Sequence, residues 1–223
     1  MHNDLNRDWQ HTWYCLKIDV SHFFDNVDRN ILFNMIKRKI KCPRTLDILH
    51  TIIFDVPGKK GLPIGLFSSQ ILSVFYLSQL DHYCKETLGI KYYYRYMDDI
   101  VILASNKILL HNYLRLIKLY VRFIGLSLKK NYAIFPIEKR RLDFVGFVFT
   151  HSYVALRKST KIRYIRACNN IIRTIKYHEQ VTVHQLLSVN SYVGILTWVS
   201  DDKLFNKYNG RIERVIAIGV EAI

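Results

Sequence analysis

Two adjacent aspartates, Asp98 and Asp99, are the residues whose types and spacing point most directly to chemistry. They follow the aromatic run Tyr93–Tyr96 and precede the apolar run Ile100–Leu103, so they are predicted to lie at the tip of a β-hairpin. Two like charges held together are costly unless a cation joins them. Carboxylate oxygens suit Mg²⁺, which proteins hold through one or two carboxylates and the substrate's phosphates. The alternative is an acidic surface turn, because Asp is common in turns.

A third carboxylate, Asp19, stands near the end of an alternating apolar and polar run from Leu16 to Val20. Such alternation is typical of a strand. Asp28 is predicted to cap the helix that follows, but Asp19 lies too far upstream for that role. A site for two-metal phosphoryl transfer needs a carboxylate from elsewhere in the chain, and Asp19 is the candidate.

Three motifs resemble the palm motifs of reverse transcriptases, and they occur in the same order. They are Asp19 with Phe24 five residues later, the run Gly61–Gln70, and Tyr96-Met97-Asp98-Asp99. Further along, Gly125–Lys130 resembles the next palm motif and Phe144-Val145-Gly146-Phe147 resembles the primer-grip hairpin. The similarity extends from about Trp13 to Phe149.

The resemblance implies an RNA-directed DNA polymerase that uses two Mg²⁺ ions, for which Mn²⁺ can substitute. Its partners would be an RNA template, a DNA or RNA primer and dNTPs, without a membrane. The implied metal ligands are Asp19, Asp98 and Asp99, and Lys130 is the implied proton donor to the leaving pyrophosphate. The implied nucleotide-binding residues are Val20, Phe24, Ile64, Gly65, Ser69 and Gln70. The implied primer and template contacts are Tyr96, Met97, Phe144, Gly146, Arg166 and Arg173.

The loop pattern Ile64-Gly65-x-x-x-Ser69-Gln70 indicates which group of reverse transcriptases the chain resembles. Many reverse transcriptases carry Gln before the glycine and Pro after the serine. Ile64 and Gln70 instead resemble the variant of diversity-generating retroelements and of some bacterial relatives of unassigned or defence function. An Ile side chain cannot form hydrogen bonds, so this variant implies a polymerase of low fidelity.

The charge of the chain favours an anionic partner. The formal net charge is +15, which is typical of proteins that bind nucleic acids. Residues 1–104 hold 13 Lys/Arg and 11 Asp/Glu, whereas residues 105–223 hold 20 and 7. We therefore expect the first half to carry the metal site and the second half to bind nucleic acid.

The order of sequence patterns predicts an α+β fold. A strand near 13–19 is followed by helices near 29–40, 45–54 and 67–87, the hairpin, a helix from Ser105-Asn106 to about 124, and short strands in 131–156. This order fits the split βαβ palm, an antiparallel sheet with helices on one face. Three further helices, at 160–178, 182–198 and 201–217, predict a small α-helical thumb. The predicted domains are a palm at 1–156 and a thumb at 157–223.

Two helices carry basic stripes. In the helix near 107–124 the stripe is His111, Arg115, Lys118 and Arg122, and the predicted apolar face is Leu109, Tyr113, Leu116, Tyr120 and Ile124. We interpret this stripe as a solvated face. The stripe of the 160–178 helix, with Arg166 and Arg173, is predicted to contact phosphates.

Four scattered cysteines, Cys15, Cys42, Cys84 and Cys168, favour reduced thiols and a cytoplasmic location. Only 18 residues precede Asp19, so we expect the triphosphate-clasping fingers of relatives to be largely absent. The chain is then a fragment of a split or truncated enzyme, or an accessory protein or a separate fingers-bearing segment holds the triphosphate. Two alternatives to a reverse transcriptase stay open: a non-catalytic nucleic-acid-binding remnant and a defence-type polymerase that works without an ordinary template.

Overall fold

The computed structural model describes residues 1–177, 180–199, 206–210 and 212. The chain divides by its contacts into two compact units, Arg7–Arg140 with Met1, and Arg141–Ile223 with His2–Asn6. The boundary between the units lies after Arg140, which is earlier than the predicted boundary at 156/157. It is defined by packing contacts and not by function. The assignment of palm and thumb roles to 1–156 and 157–223 stays a prediction.

A four-stranded antiparallel sheet forms the centre of the first unit. Its strands are β1 (Tyr14–Asp19), β2 (Tyr92–Tyr96), β3 (Asp99–Ala104) and β4 (Ala133–Pro136), in the order β2-β3-β1-β4. The predicted strand near 13–19 and the predicted hairpin are confirmed. The tip lies one residue earlier than predicted, because Tyr96 pairs with Asp99, which leaves Met97 and Asp98 in the turn and Asp99 in β3. The two central strands are therefore those that carry Asp19 and Asp99.

The helices before Arg140 match the predicted order, with two short additions, α1 and α2. They are α1 (His2–Arg7), α2 (Phe23–Asn26), α3 (Arg29–Lys39), α4 (Pro43–Phe54), α5 (Phe67–His82) and α6 (Lys107–Phe123), with one π-helical turn, Tyr83–Thr87, directly after α5. Asp28 caps α3 as predicted, since its side chain accepts hydrogen bonds from the backbone N–H groups of Asn30 and Ile31. Asn106 caps α6 by accepting from the N–H of Leu109.

One apolar core joins this sheet to its helices. Alternate strand residues such as Leu16 and Ile102 pack in one cluster with residues of α3, α5 and α6. The predicted apolar face of α6 does pack on this core, since Ile124 is buried and Leu109, Tyr113 and Tyr120 are partly buried against it, but it is off-centre. The side chains that α6 buries are Leu110, Leu114, Ile117 and Val121.

A smaller sheet and two long helices make up the described part of the second unit. Its elements are β5 (Leu142–Phe144), β6 (Phe147–Phe149), β7 (Val154–Leu156), α7 (Lys158–Lys176) and α8 (Val183–Leu196). The predicted capping box of Thr182 and Gln185 at the start of α8 is confirmed. The helix predicted at 201–217 lies largely outside the described residues. No described helix is both long enough and apolar enough to cross a bilayer.

The hairpin between β5 and β6 turns through only Val145 and Gly146, since Phe144 pairs with Phe147. Both turn residues have positive φ, 49° for Val145 and 84° for Gly146, as in type I′ turns. Gly tolerates this conformation, whereas a β-branched residue does so only with strain. Val145 is therefore held in an unfavourable backbone conformation at the tip of the predicted primer grip.

Candidate active site

Two paired strands bring Asp19 and Asp99 opposite each other. Asp19 is the last residue of β1 and Asp99 the first of β3, and the two are Cα partners in the antiparallel register. Asp98 lies one residue earlier, and its carbonyl accepts a hydrogen bond of 3.1 Å from the N–H of Val20. All three predicted carboxylates therefore lie at one end of the two central strands.

The turn that carries Asp98 is braced from α5. Its first residue, Met97, has a φ of 52°, and its carbonyl accepts a 3.0 Å hydrogen bond from Arg95 Nη1. The same guanidinium binds Asp81 of α5 through Nε at 2.7 Å and Nη2 at 2.5 Å. Tyr93 also donates to Asp81 Oδ1, at 2.7 Å. A bidentate, largely buried ion pair thus fixes the strained turn beside the carboxylates.

Two of the three carboxylates, those of Asp99 and Asp19, pair with lysine ammonium groups. Lys17 Nζ lies 3.1 Å from Asp99 Oδ2, and Lys129 Nζ lies 3.1 Å from Asp19 Oδ1. The hydrogen bond to Asp19, together with the charges of Asp98 and Asp99, raises the pKa of Lys129. The resemblance pointed to Lys130 as a proton donor, whereas the structure brings Lys129 to Asp19, so the role of Lys130 stays a prediction.

Asp99 differs from the other two carboxylates in having one buried oxygen without a hydrogen-bond donor among the described residues. Burial raises its pKa above the ordinary value of an aspartate, while the bond to Lys17 opposes that shift. Its Oδ1 is buried and has no hydrogen-bond partner within the described part of the chain. A buried acceptor without a donor is unfavourable, and a hard cation such as Mg²⁺ would satisfy it.

The carboxylate oxygens therefore suit a divalent metal, but the side chains do not converge on one point. Among residues 1–177, 180–199, 206–210 and 212, no three His, Cys, Asp or Glu side chains converge closely enough to hold an ion. Lysine ammonium groups lie against Asp19 and Asp99 instead.

A buried arginine at the start of α3 anchors the loop that precedes α5. Arg29 is only 4% exposed, and its guanidinium donates to five backbone carbonyls. The acceptors are Val56, Pro57, Gly58, Lys60 and Gly61, at 2.7–3.1 Å. At Gly61 a Cβ would lie 2.9 Å from the carbonyl oxygen of Asp25, so only glycine fits. The loop is thereby held against the segment that follows β1.

The predicted nucleotide-binding residues lie along this loop and this segment. Leu62 N–H donates to the carbonyl of Phe24 at 2.8 Å, which joins the two. Ile64 is 77% exposed, and Gly65 has a φ of 98°. Gln70 is exposed, Phe24 is half-buried, and Ser69 and Val20 are buried. Their contact with a nucleotide stays a prediction.

The predicted primer and template residues are divided between the two units. Tyr96 is exposed and Met97 half-buried beside the carboxylates. Phe144 and Gly146 belong to the β5–β6 hairpin of the second unit, where Phe144 is buried. Arg166 and Arg173 are exposed on α7, as the predicted stripe requires.

The residues that position the site without having had a predicted role include Lys17, Arg29, Asp81 and Arg95. Only Lys17 left a usable signal, because it precedes Asp19 by two residues on a strand and so shares its face. The roles of Arg29 and Arg95 are not visible in the sequence, because their carbonyl and carboxylate partners lie elsewhere in the chain.

Comparison with known proteins agrees with this geometry. A model of the family described as reverse transcriptase (RNA-dependent DNA polymerase) matches residues 2–149. No curated protein sequence matches the chain. The solved structure of apo telomerase from Candida tropicalis is similar at a TM-score of 0.60 and 17% identity, covering 100% of this chain and 44% of that one.

Telomerase from Candida albicans, in complex with the TWJ fragment of telomeric RNA, has a TM-score of 0.61 and 13% identity, with 99% of this chain and 51% of that one covered. The chain thus spans about half the length of these proteins or less. At these identities the similarity shows the fold, a mixed α and β palm with an antiparallel sheet.

Proposed function

The chain belongs to the reverse transcriptase (RNA-dependent DNA polymerase) family, and we propose that it extends a DNA or RNA primer along an RNA template with dNTPs. The observation that carries the proposal is the pairing of Asp19 with Asp99 across β1 and β3, with Asp98 in the adjoining turn. This arrangement presents three carboxylates at the end of a rigid sheet, where phosphoryl transfer needs them.

Reverse transcriptases generally use divalent metal ions, and the proposed ions here are Mg²⁺, with Mn²⁺ as a substitute. Asp19 and Asp98 would be the main ligands of the ions and Asp99 a weaker one. When bound, the ions lower the pKa of the primer 3′-hydroxyl and neutralise phosphate charge. Lys17 pairs with Asp99 and Lys129 with Asp19, which orients these two carboxylates.

Primer extension by the wild-type chain tests the proposal. The assay uses a labelled primer on a defined RNA template with dNTPs and Mg²⁺, and the control contains EDTA. Extension that depends on template and metal supports a reverse transcriptase. Synthesis that ignores the template supports the defence-type alternative, and binding without any synthesis supports the non-catalytic remnant.

The aromatic ring of Phe24 is proposed to select the sugar. Phe24 lies in α2 just after Asp19, half-buried, and its carbonyl is tied to the nucleotide loop at Leu62. A ring beneath the sugar would collide with a ribose 2′-hydroxyl. If the collision costs at least about 1.4 kcal/mol, Phe24→Ala raises ribonucleotide incorporation by roughly tenfold.

The measurement is the ratio of kcat/KM for a dNTP and its rNTP. Phe24→Tyr keeps the ring and is the control, with an unchanged ratio expected. An unchanged ratio in Phe24→Ala as well would show that Phe24 serves only packing.

The finer proposal is a low-fidelity enzyme of a diversity-generating retroelement. It is supported by Ile64, whose exposed side chain can offer no hydrogen bond to a nucleotide. Ile64→Gln supplies an amide, and one hydrogen bond of about 1 kcal/mol corresponds to roughly fivefold fewer errors. Template adenines are the expected sites of greatest change.

The measurement for Ile64→Gln is deep sequencing of cDNA made from a defined RNA template. Leu66→Gln introduces the same amide two residues away in the same exposed loop, and its error spectrum should equal that of the wild type. Identical spectra for Ile64→Gln and the wild type would refute the finer proposal and leave the general one intact.

A further inference from the structure

A basic groove lies on the first unit, between α6 and the segment that leads into β4. It encloses about 340 Å³. Its basic and polar lining consists of Arg115, Lys118 and His111 from α6 and Lys129 and Lys130 from the later segment. None of the three candidate metal ligands lines it.

The charge of this groove is not compensated from its own elements. From Ile100 to Ile137 the chain contains six Lys/Arg residues and no Asp or Glu. Within the part of the chain that the structure describes, Lys129 pairs with Asp19, whereas Arg115, Lys118 and Lys130 have no carboxylate partner. Uncompensated positive charge along a concave surface attracts anions.

The spacing of the hydrogen-bond donors on α6 fits a chain of phosphates. His111, Arg115 and Lys118 are separated by four and three residues on α6, so they share one face over about 10 Å of helix. That length can reach more than one phosphate of an extended strand. This row of donors is longer than a single small anion.

The remaining lining suits nucleotides in a single strand. The ring of Tyr132 is 46% exposed, and Leu114 and Leu128 add apolar surface. Exposed aromatic rings beside a basic track are the usual means of binding unpaired bases without sequence preference.

We propose that the groove of α6 and residues 128–132 binds the backbone of a single-stranded nucleic acid, with Tyr132 as a stacking surface for a base. This goes beyond the proposed polymerase activity, since the groove contains no candidate metal ligand. Lys129 connects the two sites, because it lines the groove and binds Asp19.

The test compares two double variants of the full chain that remove the same charge. Arg115→Gln with Lys118→Gln removes two groove cations, and Arg38→Gln with Lys39→Gln removes two exposed cations from α3. Gln preserves both helices, since its helix propensity is close to that of Lys and Arg. Binding of a fluorescein-labelled 20-nucleotide oligouridylate is followed by anisotropy over a range of salt concentrations, in EDTA and without nucleotides.

The groove variant should bind roughly tenfold more weakly, and its slope of log K against log salt should be smaller in magnitude by about 1.4, since each phosphate contact on a single strand contributes about 0.7. The α3 variant should keep the wild-type slope. Tyr132→Ala should weaken binding about fivefold or more through lost stacking, whereas Tyr132→Phe should not.

Equal slopes in the two double variants would overturn the proposal. Equally strong binding of a duplex with the same dependence on the groove would also overturn it, as would displacement of the oligonucleotide by stoichiometric inorganic pyrophosphate. Because no metal is present, Asp98→Asn should bind like the wild type. A chain that binds in this way but never extends a primer would refute the proposed function and leave the groove assignment standing.

Discussion

Asp98→Asn is expected to lower primer extension by at least about 10³-fold, because a metal-ligating carboxylate contributes several kcal/mol to phosphoryl transfer and about 4 kcal/mol corresponds to that factor. The substitution keeps the shape of the side chain. It also keeps the hydrogen bond from Val20 N–H to the Asp98 carbonyl, which belongs to the backbone. Asp19→Asn should have an effect of the same order, and nucleic-acid binding should survive in both variants.

The measurement is single-turnover extension of a primer on an RNA template, with anisotropy as the measure of binding. Asp47→Asn, on the exposed side of α4, removes the same charge away from the site and should retain wild-type extension. Full extension by Asp98→Asn or Asp19→Asn would refute the assignment of the catalytic carboxylates. Loss of binding together with extension would indicate a folding defect instead.

Arg29→Met is expected to lower the free energy of unfolding by about 3–5 kcal/mol, as is typical when a buried, fully hydrogen-bonded charged group is removed. The apolar replacement fills much of the same space but leaves all five carbonyls without their donor. Gly61 is itself buried, so water cannot fully replace the guanidinium there. The free energy of unfolding of Arg29→Lys should lie between those of Arg29→Met and the wild type, because an ammonium group has only three donors.

Urea unfolding followed by circular dichroism measures this effect. Arg38→Met makes the same change on the exposed part of α3 and should alter stability by less than about 0.5 kcal/mol. If Arg29→Met unfolds at the same urea concentration as Arg38→Met, then Arg29 does not anchor the loop.

Sequence patterns predicted the order and type of most elements because local signals agree with the final packing. Asp28 and Asn106 are good capping residues where the apolar periodicity begins, and both cap a helix. The two-residue hairpin at Met97-Asp98 follows from two β-forming runs that flank it. In each case the residues that decide the structure are neighbours in the chain.

Features that depend on partners far apart in the chain were not predictable. Apolar residues cover more than half of the circumference of α6, so periodicity alone could not select Leu110 and Leu114 over Leu109 and Tyr113 as the buried face. Lys129 and Lys130 are equivalent in sequence. The bridge between Val20 and Leu128 and the 2.8 Å hydrogen bond from Lys129 N–H to the carbonyl of Asp19 direct Lys129 to Asp19.

The anchorage of the loop by Arg29 has a consequence for how the sequence can vary. Every acceptor is a backbone carbonyl, and a carbonyl is present whatever the side chain. Residues 56, 57, 59 and 60 can therefore exchange their side chains widely while the path of the loop stays the same, provided that Arg29, Gly61 and Gly58, which has a φ of 88°, are kept. The segment from Leu62 to Gln70 begins at a fixed point for the same reason. Substitutions there would change the side chains of the predicted nucleotide-binding segment while the path of the preceding loop stays the same.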